Sequence, residues 1–224
     1  MKDSELCVVQ TEGISFSSKY IYFILKRFFD ILFSILGMVC LLPLAILIKI
    51  LYLFQGDFHS IFYYQERVGK YGKMFHLYKF RTMVPNAEEI LKDWLKNNPE
   101  KRKEYYKNRK IDNDPRITKV GAFLRKTSLD EFPQFINVFL GHMSLVGPRP
   151  VVPDEADNYK KNKNKFLSIR PGLTGYWASN GRSNVSYAKR MKMELYYVDH
   201  CSFGLDLKII FRTFVKVIKS DGAK

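Results

Sequence analysis

The sequence predicts an α+β protein: a membrane-inserted, re-entrant helix-break-helix followed by a small, mostly helical cytoplasmic domain with a β-hairpin and interfacial amphipathic helices. Three observations predict it. Ile31 to Ile48 (ILFSILGMVCLLPLAILI) runs for eighteen residues without a charge. Ile61 to Met83 alternates between aromatic and polar residues around Gly69 and Gly72. Leu205 to Lys219 sets a basic residue every three or four positions along an otherwise apolar stretch. The boundaries fall at 1–19 for a polar tail, 20–55 for the membrane element and 56–224 for the domain.

The apolar run would cover about 27 Å as a helix, just under a bilayer core of about 30 Å. Pro43 interrupts it, because proline lacks an N–H and its ring meets the carbonyl four residues back, at Val39. Lys19, Lys26 and Arg27 precede the run, and Lys49 follows it. Residues 55–224 carry 32 Lys+Arg against 18 Asp+Glu. Basic flanks belong in the cytoplasm. A segment that dips in and returns keeps both flanks there, so a re-entrant helix broken at Pro43 is expected over a single pass. Asp30, at the threshold, can pair with Lys26 or Arg27 on a helix.

Ile61–Met83 reads as a β-hairpin. Lys79 and Arg81 lie two apart and share one face of a strand. They can hold phosphate, although spacing alone favours a solvated basic face. Pro85–Lys110 reads as a charged helical hairpin interrupted at Pro99, and Ile117–Lys126 as a short amphipathic helix. Ser128 and Glu131 fit the N-cap and N3 positions of a capping box opening a helix that Gly141 closes. Glu131 would then only cap the helix and Asp130 only complement its dipole, which spacing alone favours. Alternatively, one carboxylate attacks phosphorus while the other holds a cation. Arg149 stands between two prolines in Ser144–Pro153. The segment is either simply a rigid loop or a fixed guanidinium for phosphate. Asp154–Lys165 reads as a Lys-rich linker, Arg170–Gly175 as a turn-rich loop and Leu205–Lys219 as a basic amphipathic helix in a membrane interface.

The net charge of +15 suits nucleic acid or an anionic membrane. The apolar run favours the membrane, so anionic lipids are expected as partners and nucleic acid is not. Cys7, Cys40 and Cys201 are widely separated, which gives neither a disulfide framework nor a metal spacing. The run starts late and lacks a small-residue cleavage site, so signal-peptide cleavage is not expected.

Four segments, KFRTM (Lys79–Met83), DPRITKVGAFLRKTSLDEFPQFINV (Asp114–Val138), MSLVGPRP (Met143–Pro150) and RPGLTG (Arg170–Gly175), resemble the bacterial sugar transferase family. These are the monotopic polyprenyl-phosphate phosphoglycosyl transferases, and the resemblance runs from about Lys26 to Val217. It implies transfer of a sugar-1-phosphate from a UDP-sugar to undecaprenyl phosphate, with release of UMP, at the start of surface-glycan assembly. It implies a phosphosugar intermediate on Asp130, Mg²⁺ on Glu131, and phosphate binding by Arg149, Lys79 and Arg81. It also implies a bacterial inner-membrane location with the catalytic domain on the cytoplasmic face. The chain departs from the family at Leu42-Pro43, where Ser-Pro is usual, and at His142, where an aspartate is usual. It departs again at Trp177–Arg182, where Ala-Gln-Val-Asn-Gly-Arg is frequent. Larger relatives carry four further membrane helices, so the minimal catalytic form is expected here. The donor sugar and the oligomeric state stay open, a homodimer among the options. Two other readings stay open from the residues: a membrane-tethered basic binding module without catalysis, and a glycosyl transferase that moves sugar without phosphate.

Overall fold

The structure, a computed structural model, describes residues 16–99, 102, 105, 114–181 and 185–218. Helix α1 (Phe16–Phe54) is 39 residues long and contains Pro43. The sequence predicts a break there; the helix instead continues through it. A proline removes one N–H bond and can bend a helix without ending it. α1 also begins at Phe16, inside the predicted tail, whose first fifteen residues lie outside the described ones. Lys19–Phe54 is the one segment among the described residues that is long and apolar enough to cross a membrane.

The hairpin forms as the alternation predicts. Strand β1 (Phe62–Val68) pairs antiparallel with β2 (Met74–Phe80), with Tyr63 opposite Lys79 and Arg67 opposite Phe75. Helix α2 (Ala87–Asn97) supplies the first limb of the predicted helical hairpin; most of the second lies outside the described residues. Helix α3 (Lys119–Thr127) starts two residues later than predicted, because Thr118 caps it by accepting from the Gly121 N–H at 2.8 Å.

Ser128 does not open the next helix. It closes α3 in a left-handed conformation (φ 59°), with its N–H donating to Arg125 O and no cap bond from its side chain. The capping box is therefore absent. Leu129–Glu131 forms a single 3₁₀ turn before α4 (Gln134–Phe139). The predicted closure at Gly141 holds, with φ 81° just past α4.

The sequence does not foretell strands β3 (Ser144–Val146) and β4 (Gly172–Thr174), which pair in parallel. Between them, the stretch read as a linker is ordered: α5 (Pro153–Asp157), a 3₁₀ turn at Lys160–Asn162 and α6 (Lys163–Phe166). Its Lys-rich surface covers buried Ala156, Tyr159 and Phe166, which pack with Val68 and Val151. Helices α7 (Tyr176–Asn180), α8 (Tyr187–His200) and α9 (Phe203–Ile218) complete the described chain.

α1 is the spine of this assembly. Near its start, Tyr22 donates to Asp206 on α9 at 2.9 Å, and Lys26 pairs with the same carboxylate at 2.6 Å. Arg27 donates to the Val138 and Phe139 carbonyls that end α4. Asp30 does not bond Lys26 or Arg27; it accepts from Ser144 Oγ and the Leu145 N–H, because β3 runs alongside. Beyond Pro43, Ile48 and Tyr52 are buried against Phe80, Val120 and Leu124. Tyr52 Oη donates to Arg81 O at 2.6 Å.

Candidate active site

Three elements meet where β2 ends. Lys79 is its penultimate residue, and Asp130 and Glu131 sit on the turn between α3 and α4. Asn137, fully buried on α4, fixes their relation: its Nδ2 donates to His76 O at 2.7 Å and its Oδ1 accepts from the Tyr78 N–H at 3.0 Å. An amide that bonds a strand edge in both directions sets how the helix lies against it. Sequence pattern alone left Asn137 unmarked.

The Lys79 ammonium stands 2.9 Å from Glu131 Oε1 and 3.7 Å from Asp130 Oδ2. Adjacent side chains diverge on a helical turn, yet both carboxylates lie within 4 Å of the one ammonium. Asp130 is the more enclosed, its side chain 14% exposed against 38% for Glu131. Burial raises the Asp130 pKa above the ordinary carboxylate value; Lys79 opposes this and the neighbouring Glu131 charge adds to it. A carboxylate held in such surroundings can act as a nucleophile. Its more exposed neighbour, Glu131, is a carboxylate already paired with one cation, Lys79.

Arg81 is bonded apart from the two carboxylates. Its Nε donates to Ser60 O, Nη1 to Met83 O and Nη2 to Asp57 Oδ2, and its guanidinium lies 4.6 Å from the Tyr52 ring. It is 9% exposed. This fork ties the hairpin to the end of α1, whereas the residues predict a basic face that it shares with Lys79. Of that pair, only Lys79 reaches the carboxylates.

Arg149 occupies a second neighbourhood. It is exposed, with its guanidinium 5.6 Å from the Trp177 ring, and its loop is held between β3 and β4. Gly147 N donates to Thr174 O, and Gly172 N to Pro148 O, at 2.9 and 2.8 Å. A Cβ on Gly172 would fall 2.0 Å from Gly147 N, so the two segments meet this closely only without side chains. Pro43, the predicted helix break, lies on α1 outside both groups.

Among the described residues, no three or more His, Cys, Asp or Glu gather as a metal site. Mg²⁺ is a different case, since it binds through one or two carboxylates together with substrate phosphates. Asp130 and Glu131 fit that donor set.

Residues 21–220 match the family described as bacterial sugar transferase. The undecaprenyl-phosphate galactose phosphotransferase of Salmonella typhimurium is 46% identical over 199 residues, 89% of this chain and 41% of its own length. The exopolysaccharide production protein ExoY of Sinorhizobium fredii is 46% identical over 198 residues, 88% of this chain and 87% of its own. A UDP-N-acetylgalactosamine-undecaprenyl-phosphate N-acetylgalactosaminephosphotransferase of Aeromonas hydrophila is 32% identical over 211 residues, 91% of this chain and 46% of its own. The chain thus spans less than half of the Salmonella and Aeromonas relatives and most of ExoY.

Proposed function

The chain belongs to the bacterial sugar transferase family, and from that premise we propose that it transfers a sugar-1-phosphate from a UDP-sugar to undecaprenyl phosphate, in two displacements through Asp130. An Asp130 oxygen attacks the sugar-bearing phosphorus. The bond to the bridging oxygen breaks, its electron pair leaves with UMP, and a phosphosugar stays on the carboxylate. A phosphate oxygen of the lipid then attacks the same phosphorus, and Asp130 departs as a free carboxylate. Two displacements replace one difficult one.

What carries this reading is the Lys79 ammonium held 3.7 Å from Asp130 and 2.9 Å from Glu131, in a chain matched across nearly its whole length. The Lys79 charge opposes the upward push of burial on the Asp130 pKa and offers a positive charge to an incoming phosphate. Glu131 would hold Mg²⁺ with phosphate oxygens, and the bound ion would neutralise charge on them. Among the phosphate ligands that the family resemblance suggests, Arg81 is already committed to its internal partners.

α1 inserts in the cytoplasmic leaflet of the inner membrane and returns. Contacts to the one domain on both sides of Pro43, at Tyr22, Arg27 and Asp30 and again at Ile48 and Tyr52, support this. The exposed Leu207, Phe211 and Phe214 of α9 support an interfacial role for that helix.

The test is a panel of UDP-sugars with undecaprenyl phosphate and Mg²⁺. UMP should form with at least one donor; UDP as product would indicate sugar transfer without phosphate. Asp130→Asn should abolish UMP release while the protein stays in the membrane fraction. Full activity of that variant overturns the covalent scheme.

A further inference from the structure

The start of α1, the turn of the hairpin and the segment that enters β4 enclose a recess. Lys26 and Arg27 of α1, Lys70 of the turn and Arg170 line it, together with Asp30 and Phe23. Its enclosed volume is about 30 Å³, room for a group of a few heavy atoms and nothing larger. About 17 Å of β2 separates Met74, beside the turn, from Lys79, so the recess is distinct from the candidate active site.

Positive charge predominates there. Lys26 is neutralised by Asp206 at 2.6 Å. Asp30 is engaged by Ser144 Oγ and the Leu145 N–H. Arg27 donates to two neutral carbonyls, Arg170 Nε donates to Gly141 O at 2.8 Å, and the Lys70 ammonium lies 4.6 Å from the Tyr71 ring. None of these three cations forms an ion pair among the described residues. The two guanidinium groups flank one residue. A Cβ on Gly141 would lie 3.3 Å from Arg27 Nη2, while the Gly141 carbonyl holds Arg170, and the two charges repel. Carbonyls at a helix end favour a cation nearby, and one arginine meets that need. A second arginine and Lys70 leave an excess of positive charge that an anion would offset.

We infer that Arg27, Lys70 and Arg170 form a receptor for the phosphate of an anionic phospholipid headgroup. A phosphate has the size of the recess, and guanidinium N–H groups match its oxygens in pairs. A lipid suits the place better than a free phosphate. Phe23 lines the recess, and Tyr20, Ile24 and Phe28 near it on α1 are exposed. Acyl chains can lie along these side chains, for which a free phosphate has no use. Basic pockets beside membrane helices on the cytoplasmic side take anionic headgroups in this way. The inference rests on the membrane seat proposed for α1, and not on the transfer reaction. A headgroup held here fixes the depth of the first turns of α1 at the interface.

The experiment titrates the full chain, in micelles of detergent and phosphatidylcholine, with phosphatidylglycerol, and native mass spectrometry counts the lipid retained. Wild type should keep one phosphatidylglycerol. Lys70→Gln removes an ammonium that makes no hydrogen bond among the described residues and should weaken retention at least about tenfold, as the loss of a charge-assisted bond would. Arg170→Gln keeps an N–H for the Gly141 carbonyl and should do the same; if it fails to fold, Lys70→Gln decides. Lys208→Gln removes an exposed charge from α9 and should cost at most about fivefold, the worth of one cation near an anionic surface. Losses no larger in Lys70→Gln and Arg170→Gln than in Lys208→Gln overturn the receptor in favour of diffuse attraction. Release of the lipid by inorganic phosphate, at ionic strength where chloride releases none, overturns the lipid in favour of a free phosphate. A chain that does not fractionate with membranes overturns the seat of α1 and this inference with it. A membrane-bound chain without the selective loss overturns the receptor alone.

Discussion

Glu194 sits on α8 with 1% of its surface exposed, and its Oε2 has no partner among the described residues. Burial pushes its pKa up to about 7; the Arg149 N–H and the Arg190 and Arg149 charges offset only part of that. The folded value lies above the ordinary one of 4.5, so the folded state holds the proton more tightly. Below about 4.5 both states are protonated and nothing is lost. As pH rises from there to about 7, the unfolded chain ionises first and stability falls, by up to about 3 kcal/mol, before levelling. Glu194→Gln removes the charge at nearly constant shape. It should raise Tm at pH 8 and leave it unchanged near pH 4.5, as thermal unfolding at the two pH values would report. A variant less stable at pH 8 would mean that the ionised carboxylate is needed to hold its arginines. At this scale the sequence is a partial guide. Asp130 and Glu131 were legible as adjacent carboxylates, and Arg149 as an arginine fixed by prolines. Asn137 carries no local mark, because what matters about it is a pair of partners 59 and 61 residues away.

Elements repeat that division. The hairpin and α1 announce themselves because alternation and apolar composition extend over many residues. β3 and β4 are three residues each, too short to display a period, and their pairing joins positions 28 residues apart. Ser128 shows how a local pattern misleads: Ser-x-x-Glu is a helix opening on its own, but the end of α3 takes the serine first and forces it left-handed. The β3–β4 pair holds the Arg149 loop, and it depends on two glycines in contact. In Gly172→Ala the new Cβ would lie 2.0 Å from Gly147 N and 2.3 Å from Thr174 O, both backbone atoms with nowhere to rotate. The pair must part, at a cost of about 3 kcal/mol or more. Gly204→Ala, at an open helical position on α9, should instead be neutral or stabilising by a few tenths of a kcal/mol. Denaturant unfolding of the two variants side by side checks the contrast; equal effects would remove the close-approach argument.

Over the whole molecule, α1 decides how the domain meets the membrane. Straight, its 39 residues would measure about 58 Å, well beyond a bilayer core of about 30 Å. Its outward side carries Leu32, Phe33, Leu36, Val39, Leu42, Ile46 and Leu47, all exposed, an apolar face that water does not tolerate at this extent. Its inward side is bonded to the domain from Tyr22 to Tyr52. A perpendicular crossing would carry one of those ends to the far leaflet and strip it from its partners. At the N-terminal end these are the Asp206 carboxylate, the α4 carbonyls and the β3 N–H; at the other end they are the Arg81 carbonyl and the Phe80–Leu124 core. Each buried polar group left unpaired would cost on the order of 1–3 kcal/mol, and a charged one more. The basic flanks, Lys19, Lys26 and Arg27 before the run and Lys49 after it, oppose translocation of either end. Both ends should therefore face the cytoplasm. Cys7 reports on this directly once Cys40 and Cys201 are replaced by serine. In intact cells a membrane-impermeant maleimide should leave Cys7 unlabelled, and labelling should appear when the inner membrane is opened. Labelling of Cys7 in intact cells would require the N-terminal end to lie outside, and the bonds from Tyr22, Arg27 and Asp30 to the domain would then have to be absent in the membrane.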